Sequence, residues 1–149
     1  MGALPARLAA ARTIADGRRI LSTAIEAALG TRFTADTIAT LRRRFRRVRF
    51  VWLMGADNLA QLPRWRRWRE LVAAVPFAVF PRPGETRHAL AGRAARRLAR
   101  FRRPARAAAA LALADPPAWL LVPVRLHAAS ASAIRAQGPG PAQPHGGAS

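Results

Sequence analysis

Two hydrophobic patterns alternate along this chain. Apolar residues recur every three or four positions, as on one face of a helix, in segments 4–16, 34–45, 65–74 and 88–101. Short apolar runs of the kind found in strands occupy segments 19–26, 50–54, 76–80 and 119–122. Helices that alternate with strands favour right-handed crossovers and an open parallel sheet. We therefore expect an α/β fold built on a parallel sheet.

The clearest strand is the apolar run 50–54, which ends at Gly55. Its hydrophobic residues are continuous, as in a strand that is buried on both faces of a parallel sheet. We expect a polar turn over 55–58, and the segment 81–84 ends the next strand in the same way. Ligands of open α/β sheets bind beyond the carboxyl ends of the strands. These two turns, and the region 127–135 after the last strand, are therefore the candidate site.

The helix predicted over 34–45 carries its own end signals. Thr34 can cap its first turn, and Asp36 lies near its positive end. One apolar stripe is formed by Ile38, Leu41 and Phe45. This helix should therefore pack one face on the sheet and leave its arginines in solvent.

Composition narrows the classes of function. The chain has 149 residues, enough for one domain with a core, and a formal net charge of +19 without any lysine. The sequence has no cysteine, which excludes disulfides, thiolate zinc sites and cysteine nucleophiles. With three histidines, we expect no transition-metal site built by the protein. Prolines interrupt the longest apolar stretches, 71–80 and 107–124, so we expect no membrane span and a cytoplasmic protein.

Residues at the first two turns have side chains that suit a nucleotide. Asp57 follows a glycine at a strand end, where its carboxylate can accept hydrogen bonds from a ribose or cap the next helix. Trp65 and Trp68 lie three positions apart, so one can pack inward while the other stacks on a planar ring. Arg82 stands between two prolines, on a stiff turn that can hold a guanidinium against a phosphate.

The segment 130–135, S-A-S-A-I-R, offers hydroxyls where a helix begins. The free amides of a helix start and a following arginine form an anion site, and an ordinary serine cap is the alternative. The sequence contains neither a Walker A motif nor G-x-G-x-x-G. His127 lies near these serines, but no acid is placed to orient it, so we expect no catalytic triad.

Five segments together resemble the bacterial nicotinate-nucleotide adenylyltransferase family, in the same order and at similar separations. They are T-R-F-T-A-D-T-I (31–38), F-V-W-L-M-G-A-D-N-L (50–59), W-R-R-W (65–68), R-P-G (82–84) and S-A-S-A-I-R (130–135). The resemblance covers roughly residues 5–136 and implies a Rossmann-like nucleotidyltransferase fold. It also implies the family's reaction in NAD biosynthesis. An adenylyl group passes from ATP to nicotinate mononucleotide, with Mg²⁺, to give nicotinate adenine dinucleotide and pyrophosphate.

The resemblance assigns roles to residues of the pyridine nucleotide site. It places Thr34 and Thr37 beside the pyridine nucleotide. It has Asp57 contact the bound nucleotides and Trp65 stack on the nicotinate ring. Arg82 lines the nucleotide site.

The resemblance also assigns an ATP site and shows a departure from the family. Ser130, Ser132 and Arg135 match the family's S-S-T-x-[IL]-R element, which holds ATP phosphates, with Ala131 in place of its second serine. Family members begin with a strand and G-x-F-[ND]-P-x-H-x-G-H, whose histidines bind ATP phosphates, and residues 1–13 do not match it. We therefore expect an N-terminally truncated fold that has lost most of its catalysis. A mis-set start codon is the favoured explanation, and a truncated relic is the alternative.

The domain organisation and one alternative function complete these expectations. Residues 1–136 should form a partial nucleotidyltransferase domain, and the Gly- and Pro-rich segment 137–149 a disordered tail. The alternative is an arginine-rich nucleic-acid-binding module, based on the clusters at 42–49, 64–69 and 93–106. Because no nucleic-acid-binding motif is recognised, we expect ATP and nicotinate mononucleotide, and not nucleic acid, as partners.

Overall fold

The structure, a computed structural model, describes residues 4–15 and 19–124. Its α-helices are α1 (Leu4–Ile14), α2 (Ile25–Leu29), α3 (Thr34–Arg44), α4 (Ala56–Gln61), α5 (Trp68–Ala74), α6 (Thr86–Ala91) and α7 (Arg93–Arg97). Its strands are β1 (Trp52–Gly55), β2 (Phe77–Phe80) and β3 (Trp119–Leu121). Short 3-10 helices span Leu62–Arg64, Ala99–Phe101 and Ala105–Leu113. No helix within the described ranges is long and apolar enough to cross a membrane.

The three strands form one parallel sheet in the order β1-β2-β3. Trp52 pairs with Phe77, and Phe77 in turn pairs with Trp119. The chain runs from β1 to β2 through α4 and α5, and from β2 to β3 through α6, α7 and the long 3-10 helix. The predicted α/β fold with a parallel sheet is therefore confirmed, and all three carboxyl ends lie at one edge.

The main core lies on the sheet face that the α-helices cover. Phe77 and Val79 are fully buried there among residues of α3 to α7. The Trp119 ring stacks on Phe77, with 5.8 Å between ring centroids and 5° between planes. The Trp119 Nε1–H donates a 2.8 Å hydrogen bond to the Leu98 carbonyl, which ties β3 to the end of α7. This face provides the rigid base for the strand ends.

The opposite sheet face carries a smaller core. Ala78, Leu111, Ala118 and Leu120 are buried in it. Leu53 in β1 pairs with Ala78 and lies on the same face as this smaller core, but it is 60% exposed. The expectation that this strand is buried on both faces was therefore wrong. Within the described residues, the long 3-10 helix packs on β3 and leaves β1 open on that side.

Three predicted elements differ from the structure. Residues 19–26 form no strand, because Ile20 and Leu21 are exposed and α2 begins at Ile25. The expected polar turn at 55–58 is instead the start of α4, which follows β1 without a loop. The helix predicted over 88–101 divides at Gly92, whose extended backbone separates α6 from α7.

Helix ends account for most of the remaining differences. Thr34 is the first residue of α3 and not its cap, since Phe33 precedes it in extended conformation without a side-chain cap hydrogen bond. Phe45 ends this helix and is exposed. The helix predicted from Trp65 begins at Trp68. The helix expected after Ser132 and the tail 137–149 lie outside the described residues.

Candidate functional site

An acidic and a basic side chain meet at the carboxyl ends of β1 and β2. Asp57 Oδ1, in the first turn of α4, lies 2.9 Å from Arg82 Nε. Oδ1 is shielded from solvent, and within the described residues no aligned hydrogen bond reaches it, so this contact is an ion pair only. The side chains are 35% and 50% exposed. The pair therefore presents an acceptor and a cation where α/β sheets bind ligands.

The alternative in which Asp57 caps its helix is wrong. Gly55 is the N-cap residue of α4, and no side-chain cap hydrogen bond forms there. The carboxylate belongs to the second residue of the helix and faces Arg82 instead. Asp57 is therefore available for an interaction at the sheet edge.

Gly55 gives this ion pair the space it needs. A Cβ at this position would lie 2.3 Å from Asp57 Oδ1 and 2.8 Å from Arg82 Nε, closer than real Cβ atoms approach. The Gly55 backbone, at φ −79° and ψ 161°, is extended and open to any residue. The glycine is therefore needed for close approach, not for conformational freedom.

Thr86 fixes the turn that carries Arg82. The Arg82 amide donates to Thr86 Oγ1 at 2.8 Å, and that hydroxyl donates to the Arg82 carbonyl at 2.9 Å. The stiffness that the sequence attributes to two prolines is thus reinforced by a side chain that sequence reasoning did not single out. The start of α4 positions Asp57, and this turn positions Arg82.

Trp65 forms part of a pocket between the start of α3 and the loop before α5. The pocket has a volume of ≈ 380 Å³ and is lined by Arg32, Phe33, Thr34, Ala35, Arg64, Trp65, Arg66 and Leu71. The Trp65 ring packs against Trp52, with 5.7 Å between centroids and 52° between planes. Trp68 is 8% exposed and belongs to the core. The two tryptophans are thus divided between pocket wall and core, the arrangement that their spacing predicts.

The two threonines assigned to the pyridine nucleotide have different surroundings. Thr34 lines the pocket beside Trp65. Thr37 is buried, and its Oγ1 lies 2.7 Å from that of Thr31 and donates to the Phe33 carbonyl at 3.3 Å. The structure therefore brings Thr34 and Trp65 together, and it uses the Thr37 hydroxyl to brace the backbone that leads into α3.

One ion-pair cluster, Asp36–Arg67–Glu70, joins α3 to α5. Arg67 Nη1 donates to Asp36 Oδ1 at 2.6 Å, and its Nε and Nη2 donate to Glu70 at 3.0 and 2.6 Å. The hydrogen bond from Arg67 lowers the pKa of Glu70, and Glu70 raises the pKa of Arg67. Arg67 has a positive φ of 56°, a conformation that no other non-glycine residue adopts in the described ranges.

A larger cavity lies away from this chemistry. It has a volume of ≈ 810 Å³ and is lined mainly by the end of α3 and by residues that precede the three strands, including Arg42, Arg43, Arg46, Arg47 and Arg49. It therefore opens at the amino ends of the strands. Because ligands of such sheets bind at the opposite edge, we take the Asp57–Arg82 pair at that edge as the centre of the candidate site. The Trp65 pocket, whose tryptophan contacts Trp52 at the start of β1, is its second candidate part.

Two parts of the predicted site are the ATP-phosphate residues and the metal. Ser130, Ser132 and Arg135, the predicted ATP-phosphate residues, lie outside the described residues, as does His127. Residues 4–15 and 19–124 contain no group of three or more His, Asp or Glu side chains that could hold a metal ion. Proteins usually bind Mg²⁺ through one or two carboxylates together with substrate phosphates, so a Mg²⁺ here would rely mainly on phosphate oxygens.

Comparisons with known proteins agree with this geometry. The family described as Cytidylyltransferase-like matches residues 9–137. A probable nicotinate-nucleotide adenylyltransferase of Gluconobacter oxydans is 53% identical over 132 residues, which cover 89% of this chain and 68% of the relative. Proteins of the same name from Gluconacetobacter diazotrophicus and Cereibacter sphaeroides are each 52% identical, over 91% of this chain and 63% and 71% of their own lengths.

These matches settle the family relationship of the chain. The curated relatives support the resemblance drawn from the sequence motifs, and none supports the nucleic-acid-binding alternative. The chain spans about two thirds of the length of these relatives. Its parallel sheet with flanking helices is the Rossmann-like arrangement of the matched family. The chain belongs to the nicotinate-nucleotide adenylyltransferase family, within the cytidylyltransferase-like group.

Proposed function

We propose that this chain binds nicotinate mononucleotide at the carboxyl edge of its sheet, for adenylyl transfer from ATP in NAD biosynthesis. The observation that carries the proposal is the Trp65 pocket, which combines an aromatic wall with three arginines and no acidic lining residue. A pyridine ring stacks on an indole, and the ring carboxylate is attracted by guanidinium groups. The pocket therefore favours the nicotinate form over the nicotinamide form, in which an uncharged amide replaces the ring carboxylate.

The ion pair at the strand ends supplies the remaining contacts. The Asp57 carboxylate is 35% exposed and can only accept hydrogen bonds, which suits a ribose hydroxyl. Arg82 is half exposed and has donors beyond the Nε that faces Asp57, which suits a phosphate. Together with the Trp65 pocket, these groups address the ring, the sugar and the phosphate of one mononucleotide.

The proposed reaction needs positioning more than covalent chemistry. An oxygen of the mononucleotide phosphate attacks the α-phosphorus of ATP, and the bond to pyrophosphate breaks. Arg82 would hold the attacking phosphate in line and balance part of its charge. Ser130, Ser132 and Arg135 stay predicted contacts of the ATP phosphates, Mg²⁺ stays predicted from the resemblance, and no step is assigned to it. A cytoplasmic location is likewise a prediction.

The binding proposal is tested by calorimetry and fluorescence with nicotinate mononucleotide. We expect heat of binding and quenching of tryptophan emission with the unmodified chain. Trp65→Ala should abolish the quench and weaken binding by roughly 10-fold to 100-fold, because base–aromatic stacking contributes about 1–3 kcal/mol. Trp65→Phe is the matched control, since it keeps an aromatic wall and should retain most of the heat. An unchanged quench in Trp65→Ala would refute the assignment of the ring to this wall.

A further inference from the structure

The walls of the Trp65 pocket come from two separate parts of the chain. One wall is residues 32–35 at the start of α3, and the other is residues 64–66 in the loop before α5. Asp36 directly follows the first wall and Arg67 directly follows the second. Their 2.6 Å contact is the ion pair that joins the two sides within the described residues. Beside it, the Arg66 guanidinium lies 5.0 Å from the centroid of the Phe33 ring.

Arg67 holds a backbone conformation that an arginine adopts only under constraint. Its φ of 56° and ψ of 29° place it in the left-handed region, where it turns the chain from Trp65 into α5. Such a conformation in a non-glycine residue persists only when the surroundings over-determine it. The turn itself is held by backbone hydrogen bonds from the Trp68 amide to the Trp65 carbonyl and from the Leu71 amide to the Arg67 carbonyl. The Arg67 guanidinium donates to Glu70 on its own side of the pocket and to Asp36 on the other, so the contact with Asp36 links this turn to α3.

We infer that Arg67 is a positioning residue, which acts through Asp36 to set the distance between the two walls of the Trp65 pocket. The inference deepens the proposed function and rests on it for the identity of the ligand. Arg67 need not touch the ligand, and it does not line the pocket. Its role is to keep the Trp65 ring opposite Thr34 and Phe33.

The two carboxylates of the cluster provide a matched pair of variants. Asp36 lies in the first turn of α3 and Glu70 in the first turn of α5, so each also faces a positive helix end. Asp36→Asn and Glu70→Gln each remove one negative charge from Arg67. Only Asp36→Asn weakens the contact between Arg67 and Asp36 that links the two walls of the pocket. Arg67→Gly accepts the positive φ without strain but removes both contacts.

Two measurements on the full chain separate positioning from general stability. The first is acrylamide quenching of Trp65 emission, taken as the difference between each variant and the same variant with Trp65→Phe. The second is the Kd for nicotinate mononucleotide by calorimetry, with circular dichroism to confirm folding. Loss of stacking on an aromatic side chain weakens binding by roughly 10-fold to 100-fold, and a displaced Trp65 should lose part of that stacking. We expect Asp36→Asn to raise Trp65 quenching and to weaken binding roughly 10-fold, whereas Glu70→Gln changes neither.

The remaining variants test whether Arg67 and Asp36 act through the same contact. Arg67→Gly should match Asp36→Asn, and Asp36→Asn should add nothing in the Arg67→Gly background, because the two residues act through one contact. Asp36→Glu should restore part of the affinity. Equal Trp65 quenching in Asp36→Asn and Glu70→Gln would overturn the inference. Acrylamide quenching needs no ligand, so it tests the positioning role of Arg67 by itself. Absence of binding to the unmodified chain would refute the proposed function and leave the quenching comparison intact.

Discussion

Replacement of Gly55 by alanine tests whether the Asp57–Arg82 pair forms part of the binding site. The new methyl group would lie 2.3 Å from Asp57 Oδ1 and 2.8 Å from Arg82 Nε. Ordinary contacts are 3.4–4 Å, so the carboxylate must retreat by roughly 1 Å, and the guanidinium must follow. Loss of a hydrogen bond to a charged group costs about 1.5–3 kcal/mol, a factor of roughly 10 to 100 in affinity. We therefore expect nicotinate mononucleotide to bind 10-fold to 100-fold more weakly to Gly55→Ala.

The stability of Gly55→Ala should change little. Alanine adopts the extended backbone of this position without strain, and the loss of glycine stabilises by about 0.4–1 kcal/mol through the unfolded chain. Disruption of a part-exposed ion pair costs about as much, roughly 0–1 kcal/mol. Calorimetric titration and a thermal melt thus measure separate consequences. Undiminished affinity in Gly55→Ala would refute the role of the pair.

Gly30→Ala is the reciprocal control. Gly30 has a φ of +64°, and nothing lies within 4 Å of its missing Cβ. Alanine there should destabilise the fold by about 1–2 kcal/mol, because the left-handed conformation is strained for a residue with a Cβ. Nicotinate mononucleotide should bind to the folded variant with its original affinity. A loss of affinity there would mean that general loosening, and not the ion pair, governs binding.

Two further predictions concern the fold. Trp119→Phe keeps the ring stacked on Phe77 but removes the Nε1–H donor to the Leu98 carbonyl. Because that carbonyl also accepts from the Phe101 amide, we expect a loss of about 1–2 kcal/mol in denaturant unfolding, and an unchanged midpoint would contradict it. The pKa of Glu70 is lowered by the hydrogen bond from Arg67. Its stabilisation is therefore fully present above the unfolded value of 4.5 and is lost as the pH falls through the lower folded value. As the pH falls through that range, the melting temperature of Glu70→Gln should fall less steeply than that of the unmodified chain. Identical slopes for the two proteins would argue against the Arg67–Glu70 pair.

The sequence predicts the framework of the site better than its details. Continuous apolar runs predict β2 and β3 closely because both strands are buried among helices, and they locate Asp57 and Arg82 at one edge. The same logic fails for Leu53, since hydrophobicity shows that a residue can be buried but not that a partner covers it. Gly92 divides a helix that has unbroken helical periodicity, because local φ and ψ are set by packing.

The tertiary contacts of the site are less predictable still. Nothing local distinguishes Arg67 from its arginine neighbours, because its role depends on Asp36, 31 positions earlier in the chain. Thr86 likewise acts through a turn whose geometry the two prolines do not specify. Gly55 shows its function only when two side chains from different strand ends are brought onto its backbone. Residues that act across the fold are thus the ones that the sequence hides.

The open side of β1 has a consequence for handling the chain in solution. Its register partners lie on β2 alone, so within the described residues its other flank keeps unpaired amides and carbonyls, next to an exposed Leu53. Such a flank is a template for strand addition between molecules. A formal charge of +19 opposes that encounter, and added salt shortens the range of the repulsion to about 10 Å at 0.1 M. The purified chain should therefore self-associate more as the ionic strength rises. Association through electrostatic attraction would instead weaken as salt is added.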